Sequence, residues 1–235
     1  MSEVNTPVDK SLKWDSDGER YYHTGVSKGV IYKYDDTNGY KPGVAWNGLI
    51  SVEDNPDGAD TTDLWADNMK YASFRSKENA KGTIKAYMWP DEFNECNGKR
   101  TFLGGMHIGQ QSRKTFGLCY RTEVGSDTNP EAGYILHLVY GATASPSSMT
   151  HDTVNDNPSA AEPSFDYECT PVAVEEIDGI KQTSTIDICS LDFAAAKRDT
   201  IMAAIEAALY GTDQGEDPYL PLPDALYDII ETAST

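Results

Sequence analysis

GYILHLVYGA, residues 133–142, settles the fold class. Tyr134, Leu136, Leu138 and Tyr140 are apolar on one alternation, and Ile135 and Val139 on the other. A strand apolar on both faces is covered on both, so this one belongs at the centre of a sheet. Working outward, RKTFGLCYRTEV (113–124) precedes it across GSDTNPEAG (125–133), which reads as a hairpin loop. GTIKAYMW (82–89) alternates Ile84, Ala86 and Met88 with Thr83, Lys85 and Tyr87, the period of a half-buried strand. Earlier strand signals are RYYHTGVSKGVIYKY (20–34), GVAWNGLISV (43–52) and DNMKYASFRS (67–76); later ones are FDYECTPVAVEE (165–176) and IKQTSTIDIC (180–189), joined by a turn at Asp178-Gly179. PDEFNECNG (90–98) holds a single helical turn, and SPSSMTHDTVNDNPSAAEPS (145–164) is a long loop of turn formers. With no helical run before residue 190, a mainly β sandwich or barrel is expected.

The C-terminal part differs. In SLDFAAAKRDTIMAAIEAALYG (190–211), Phe193, Ile201, Ile205 and Leu209 recur at multiples of four, which predicts one flanking amphipathic helix over about 192–210. Ser190 or Asp192 is placed to cap it, and Gly211 ends it. TDQGEDPYLPLP (212–223) is an acidic, proline-spaced linker, and Pro223 opens a short helix over 224–231 with an apolar edge of Leu226, Ile229 and Ile230. An edge that small must dock on its own domain or on a neighbour. The expected organisation is an N-terminal arm over 1–19, a β domain with its helix over 20–210, and a C-terminal acidic linker and short helix over 211–235.

Fourteen Tyr and four Trp in 235 residues suit a core or an interface rather than a disordered chain. No stretch has the length and apolarity of a membrane helix, and the N-terminus lacks the layout of a secretion signal, so a soluble protein made in the cytoplasm is expected. Net charge is −19, unevenly placed: residues 151–235 carry 18 Asp and Glu against Lys181, Lys197 and Arg198, which puts −15 in that third. Such a surface repels phosphate backbones. It serves solubility, or it lets nucleic acid pass without sticking.

Signals for chemistry are weak. Cys96, Cys119, Cys169 and Cys189 are widely spaced with no CxxC pair, and the last three lie in strand-like runs, so reduced, buried thiols are expected. Neither they nor the four histidines have zinc-ligand spacing, and His137 reads as a satisfied core or interface histidine. GGMHIG lacks the lysine and hydroxyl of a phosphate loop. Asp91 and Glu92, as strand neighbours, point to opposite faces and so cannot flank one sugar as a glycosidase pair must. WDSDGE and DNPDGAD lack the ligand alternation and distal Glu of a calcium loop. No catalytic residue, cofactor or metal is expected. Aromatic side chains on strands also suit a carbohydrate-binding β-sandwich, which stands as the alternative from another class.

NGLISVEDNPDGADTTDLWADNMKYASF (47–74) sets two β-like runs on either side of a dozen acidic, Pro- and Gly-containing residues, far more than a hairpin needs. Ordering such an arm costs about 1–2 kcal/mol per residue.

GVSKGVIY, GVAWNGLISVEDNPDGAD, LWADNMKYASF, GTIKAYMWPDEF, GQQSRKTFGLCYRTEVGSD, GYILHLVYGATASPSS, HDTVNDNPSA and IEAALYGTDQGEDPYLPLPD, taken in order, resemble the major tail proteins (tail tube proteins) of long-tailed, non-contractile bacteriophages. The blocks span about residues 25–224, most of the chain. The resemblance implies a β-sandwich or barrel with one helix, assembled as homo-hexameric rings stacked into a tube. That tube conducts double-stranded DNA to the host without specific binding or catalysis. It implies other tail proteins as partners (tape measure, tail tip and tail terminator), no membrane, and a place in the virion tail after assembly in the host cytoplasm. A tube subunit of a related phage-like injection device is the near alternative.

Given the resemblance, Glu53, Asp54, Asn55, Pro56, Asp57, Gly58, Ala59, Asp60, Thr61, Thr62, Asp63 and Leu64 are expected to form a ring-stacking loop. Trp14, Tyr219, Leu220 and Leu222 are the expected apolar anchors of inter-subunit arms. Val44 and Trp46, Met69 and Tyr71, and Ile84, Ala86 and Met88 are expected on strands lining an inner barrel, where the unpaired edge of one subunit joins its neighbour.

Overall fold

A computed structural model of the chain describes residues 11–151, 153, 160–175, 177 and 179–235. The first ten residues of the expected N-terminal arm, Asp178 of the expected turn, and most of the 152–159 loop lie outside the described residues.

The chain is mainly β, with a few helices. Its strands are β1 (Tyr21–Asp35), β2 (Gly39–Trp46), β3 (Leu49–Asp54), β4 (Asp57–Gly58), β5 (Thr61–Ala66), β6 (Met69–Arg75), β7 (Glu78–Asn79), β8 (Lys81–Ala86), β9 (Arg100–Phe102), β10 (Met106–Ile108), β11 (Phe116–Ser126), β12 (Gly133–Ala144), β13 (Ser164–Cys169), β14 (Val172–Ala173), β15 (Gln182–Thr183) and β16 (Thr185–Cys189). Helix α1 (Asp91–Cys96) follows β8, and α2 (Ala195–Tyr210) and α3 (Pro223–Ala233) close the chain.

The main sheet is antiparallel, in the order β2-β1-β11-β12-β13-β8-β3, with β16 also on β12. As its composition requires, β12 is central. It pairs with β11 on one side; on the other, residues 135–139 pair with β16 and residues 142–144 with β13. Gly141 sits at the changeover with φ 63°, and a Cβ there would stand 2.0 Å from the Thr170 carbonyl oxygen. Only glycine lets the strand change partner there.

Alternation along the strands builds two cores, an inner one around Phe93 and an outer one under α2 and α3. Ile31, Trp46, Ile84, Phe116, Leu118 and Phe165 face inward, and Phe93 of α1 plugs the space between them. The Phe93 ring centroid lies 4.6 Å from that of Trp46, 5.0 Å from Phe165 and 5.6 Å from Phe116. Val30, Tyr32, Leu136, Leu138 and Tyr140 point the other way, under Ile201, Ile205 and Leu209 of α2 and Leu226 of α3. Each such side chain contributes about 1.5–3 kcal/mol on burial.

Helix α2 begins later than its sequence suggests. Ala194 is at its N-cap with no side-chain cap, while Ser190 and Asp192 form a single 3-10 turn upstream. The Ser190 hydroxyl is spent elsewhere: it is buried and accepts the Tyr134 amide at 2.9 Å. Gly211 ends the helix with φ 75°. Asp91 and Glu92 lie in the first turn of α1, not on a strand. Cys96, Cys119 and Cys169 are buried free thiols, whereas Cys189 is half-buried. Among the described residues, no helix is long and apolar enough to cross a membrane.

Candidate assembly surfaces

The ladder between β3 and β8 does not stop at Asp54 and Gly82. The Asn55 amide donates to the Lys81 carbonyl at 2.8 Å, β4 pairs with β7, the Ser76 amide donates to the Asp60 carbonyl at 2.9 Å, and β5 pairs with β6. Residues 53–64, expected as a loop, are therefore the outgoing half of a long two-stranded ribbon. Its tip is Asp67-Asn68, with φ 51° and 61°, the left-handed pair of a two-residue hairpin turn. The Pro56-Asp57-Gly58 sequence looks like a turn yet sits within the ladder. Gly58 and Ala59 (φ 93° and 57°) bend the ribbon there, and a Cβ on Gly58 would stand 2.7 Å from the Lys77 carbonyl oxygen.

Beyond the bend the ribbon is exposed on both faces. Thr62 and Phe74, and Leu64 and Ala72, are cross-strand pairs and so share one face. On the other, Asp63 accepts from Ser73 and pairs with Lys70 at 2.7 Å. Trp65 is 69% exposed, Tyr71 73%, and Met69 and Phe74 62% each. Met69 and Tyr71 therefore lie on the ribbon, apart from the barrel strands on which they were expected.

The other expected barrel residues divide. Trp46, Ile84 and Ala86 are buried in this chain's own inner core, and the Trp46 Nε1–H donates to the Met88 carbonyl at 2.9 Å. Val44 is half-buried on β2, and the Met88 side chain is exposed. The sheet's two terminal strands are β2 and β3. Part of the β2 edge is covered by the chain itself, because the Gly43 amide donates to the Pro218 carbonyl at 2.8 Å and the Leu220 amide to that of Tyr40 at 3.2 Å. Among the described residues no strand pairs on the outer side of β3.

The C-terminal segment folds back on its own chain. Leu220 is buried in the outer core, Tyr219 lies half-buried with Lys41 Nζ 4.8 Å from its ring centroid, and α3 packs on α2. Leu220 is thus no free anchor for a neighbour, since the apolar space it needs exists within its own chain. Leu222 is half exposed, and Trp14 of the N-terminal segment is 85% exposed.

A polar cluster sits at the root of the ribbon. His137 stacks on Tyr120, with ring centroids 4.6 Å apart, and its Nδ1 lies 2.7 Å from Asp187 Oδ1. A carboxylate only accepts, so Nδ1 is the donor toward Asp187, and Nε2 lies 2.8 Å from the Thr122 hydroxyl oxygen. The Tyr120 hydroxyl donates to Asp54 at 3.5 Å. Desolvation, with Asp187 adding, holds the Asp54 carboxyl above its ordinary value, while His137 and the Tyr120 hydroxyl oppose the shift. His137 has the partners expected of it. Among the described residues no group of three or more His, Cys, Asp or Glu is placed to hold a metal.

One surface escaped the motif reading. β9 and β10 form a second hairpin, with Phe102 55%, Leu103 81%, Met106 54% and Ile108 42% exposed. Its signal was compositional: residues 97–122 hold Lys99, Arg100, Arg113, Lys114 and Arg121, and no Asp or Glu.

No family model matches this chain, and no curated protein matches it. Among solved structures, it is similar to a chain of the sheath-tube complex of an extracellular contractile injection system in its extended state, at 11% identity over 69% of this chain and 88% of that one, with a TM-score of 0.35. It is similar also to a chain of the sheath/tube terminator of such a system, at 11% identity over 76% of this chain and 99% of that one, with a TM-score of 0.32.

Proposed function

We propose that this chain is a structural subunit of a phage-type tail tube, whose copies close into hexameric rings that stack around a hollow axis through which double-stranded DNA passes. The observation that carries this reading is the ribbon of residues 61–75. A two-stranded ribbon alone in water is marginal at best, and this one displays Leu64, Trp65, Met69, Tyr71 and Phe74 with only its own strands for support. Ordering those residues is offset once a second copy covers them. The outer side of β3 offers a further place for a neighbour within a ring, where edge pairing leaves no open sheet.

The charge suits a conduit. Each phosphate neutralised by a cation strengthens a salt-dependent hold on DNA, and a wall of carboxylates offers no such hold. The chain performs no chemistry in this role; its partners are its own copies and the tape measure, tip and terminator proteins of the tail.

Shortening the ribbon tests the reading. Removing residues 59–77 and closing Gly58 to Glu78 with an Asn-Gly turn leaves the main sheet and both cores whole. Rings without tubes are the expected product by electron microscopy. Tubes of ordinary length from this variant overturn the stacking role.

A further inference from the structure

Two segments on opposite faces of the main sheet are unlike in charge. Residues 97–122 hold five of the 19 basic side chains and none of the 38 acidic ones. Residues 199–235 are the converse, with eight Asp and Glu and no Lys, Arg or His. Lys33 and Tyr34, consecutive on β1, point toward the two. Lys33 Nζ lies 3.1 Å from Glu95 of α1, on the face of the inner core, and the Tyr34 ring centroid lies 5.0 Å from that of Tyr40, on the face of the outer core. The ribbon is rooted elsewhere: Tyr120, beside Asp54, is four strand residues, about 13 Å, from Phe116 and α1.

On the inner-core face, Glu95, Lys99, Arg100, Gln111, Ser112 and Lys114 line a cleft of about 320 Å³ at the base of the β9–β10 hairpin. Its one acid, Glu95, is already shared by Lys33 at 3.1 Å and Lys114 at 3.5 Å. Lys99 Nζ lies 5.5 Å from the Trp89 ring centroid, and Arg100 is exposed with no carboxylate partner among the described residues. From this cleft the hairpin rises about 10 Å in three residues to an apolar tip at Leu103. On the outer-core face, the turn after α2 carries Asp213, Glu216 and Asp217, all exposed and in no ion pair among the described residues. The turn is preformed: the Thr212 amide donates to the Glu216 carbonyl at 3.3 Å, and the Gly215 amide to that of Thr212 at 3.1 Å. Lys41, beside this segment, lies over the Tyr219 ring and pairs with no carboxylate among the described residues. Five residues beyond Asp217, half-exposed Leu222 borders an open groove of about 560 Å³ with Tyr34, Pro171 and Val172, and the charged residues of that groove are Glu175 and Asp224.

We infer that the acidic turn of residues 212–217 seats in the cationic cleft of a second copy of this chain, whose hairpin tip enters the Leu222 groove beside that turn. Three carboxylates with no cation then meet three cations that share one carboxylate, and an apolar tip meets an apolar wall edged by two further acids. The run from Asp217 to Leu222 reaches at most about 18 Å, which accommodates the distance from cleft to tip. The two patches differ and lie on opposite faces, so the contact is head-to-tail, the kind that a suitable rotation closes into a ring. Both lie at one end of β1, away from the ribbon root, which leaves the ribbon free to stack. A nucleic acid would take the cations alone and leave the Leu103 tip uncovered, whereas a protein surface covers both. The inference rests on the tube reading and deepens it, naming the surfaces by which neighbours join around the ring.

The test uses the full chain and four variants: Arg100→Glu, Asp217→Arg, the two combined, and Leu103→Asp. All three positions are exposed, so thermal unfolding is expected at the wild-type temperature throughout. Sedimentation velocity over a concentration series reads where rings first appear. Each single variant is expected to raise that concentration about tenfold or more, and the combined variant, with the pair reversed, to return to within about threefold of wild type. Single variants that form rings as the wild type does overturn the inference and leave the tube reading standing. A combined variant no better than its two parents also overturns it, since the two positions then do not meet. If Arg100→Glu keeps its rings and loses retention of linear duplex DNA, the cleft is a nucleic-acid contact and the inference falls. A wild-type chain that forms no rings at any concentration removes the tube reading itself, and this contact with it.

Discussion

Leu220 occupies the space in front of Gly117: a Cβ on Gly117 would stand 2.4 Å from Leu220 Cδ2. The glycine in a central strand and the leucine in the C-terminal linker are thus fitted to one another across the sheet. Through this contact, and through the Tyr140 hydroxyl donating to the Pro221 carbonyl at 2.9 Å, the segment after α2 is fastened to its own main sheet. Leu220→Ala is expected to cost about 2–4 kcal/mol by chemical denaturation. Leu222→Ala, at a half-exposed position, is expected to change stability by less than about 0.5 kcal/mol. Equal effects at the two positions would contradict the docking.

The ribbon gives the opposite pattern. Trp65→Ser and Tyr71→Ser touch nothing in the lone subunit that holds the core together. Their denaturation midpoints are expected within about 0.5 kcal/mol of wild type, while tube growth fails in sedimentation assays. A loss of monomer stability comparable to that of Leu220→Ala would mean that the ribbon packs on its own main sheet.

Tyr32 ties the sheet to the end of α2. Its buried hydroxyl donates to the Leu209 carbonyl at 2.6 Å, one of the last carbonyls of the helix. Tyr32→Phe keeps the ring and leaves that acceptor unpaired, so a cost of about 1–2 kcal/mol is expected, with slower protection loss elsewhere than at 205–211 in hydrogen exchange. No change in stability would show that water replaces the hydroxyl.

Asp54 gives the root of the ribbon a pH dependence with a definite sign. Desolvation and then Asp187 raise its carboxyl in the folded chain, against the opposing pull of His137 and Tyr120. Below the ordinary carboxylate value both states are protonated and the folded state bears no penalty. As pH rises from about 4 toward neutral, the unfolded chain ionises first, and stability attributable to this group falls. Asp54→Asn is therefore expected to raise the midpoint of thermal unfolding at pH 7 and to leave it unchanged near pH 3. A rise at pH 3 as large as that at pH 7 would assign the effect to packing.

Much of the fold was legible because its signals were local. The double-faced apolar run at 133–142 is the central strand, and the Ile201–Ile205–Leu209 spacing is the helix stripe over the outer core. What failed to show were features decided by neighbours. Asn55-Pro56-Asp57-Gly58 has the composition of a turn, but the backbone across the ladder holds it in a bent strand, and the true turn falls at Asp67-Asn68, a weaker pair for that geometry. Ser190 was spaced to cap α2, yet a buried amide at Tyr134 claims its hydroxyl. Trp46 and Ile84 carried a strand signal that could not distinguish their own core from a surface shared with a neighbour, and burial in the lone chain decides it. The β9–β10 hairpin showed in the sequence only as the glycine-rich GGMHIG, and the absence of acids across residues 97–122 is a compositional signal with no motif.

Electron microscopy of the purified full-length chain across a concentration series tests the central claim most directly. Hollow tubes of stacked rings, growing in number as concentration rises, are the predicted result. A monodisperse monomer at the highest concentration, with the ribbon of residues 61–75 folded against its own main sheet, would contradict it.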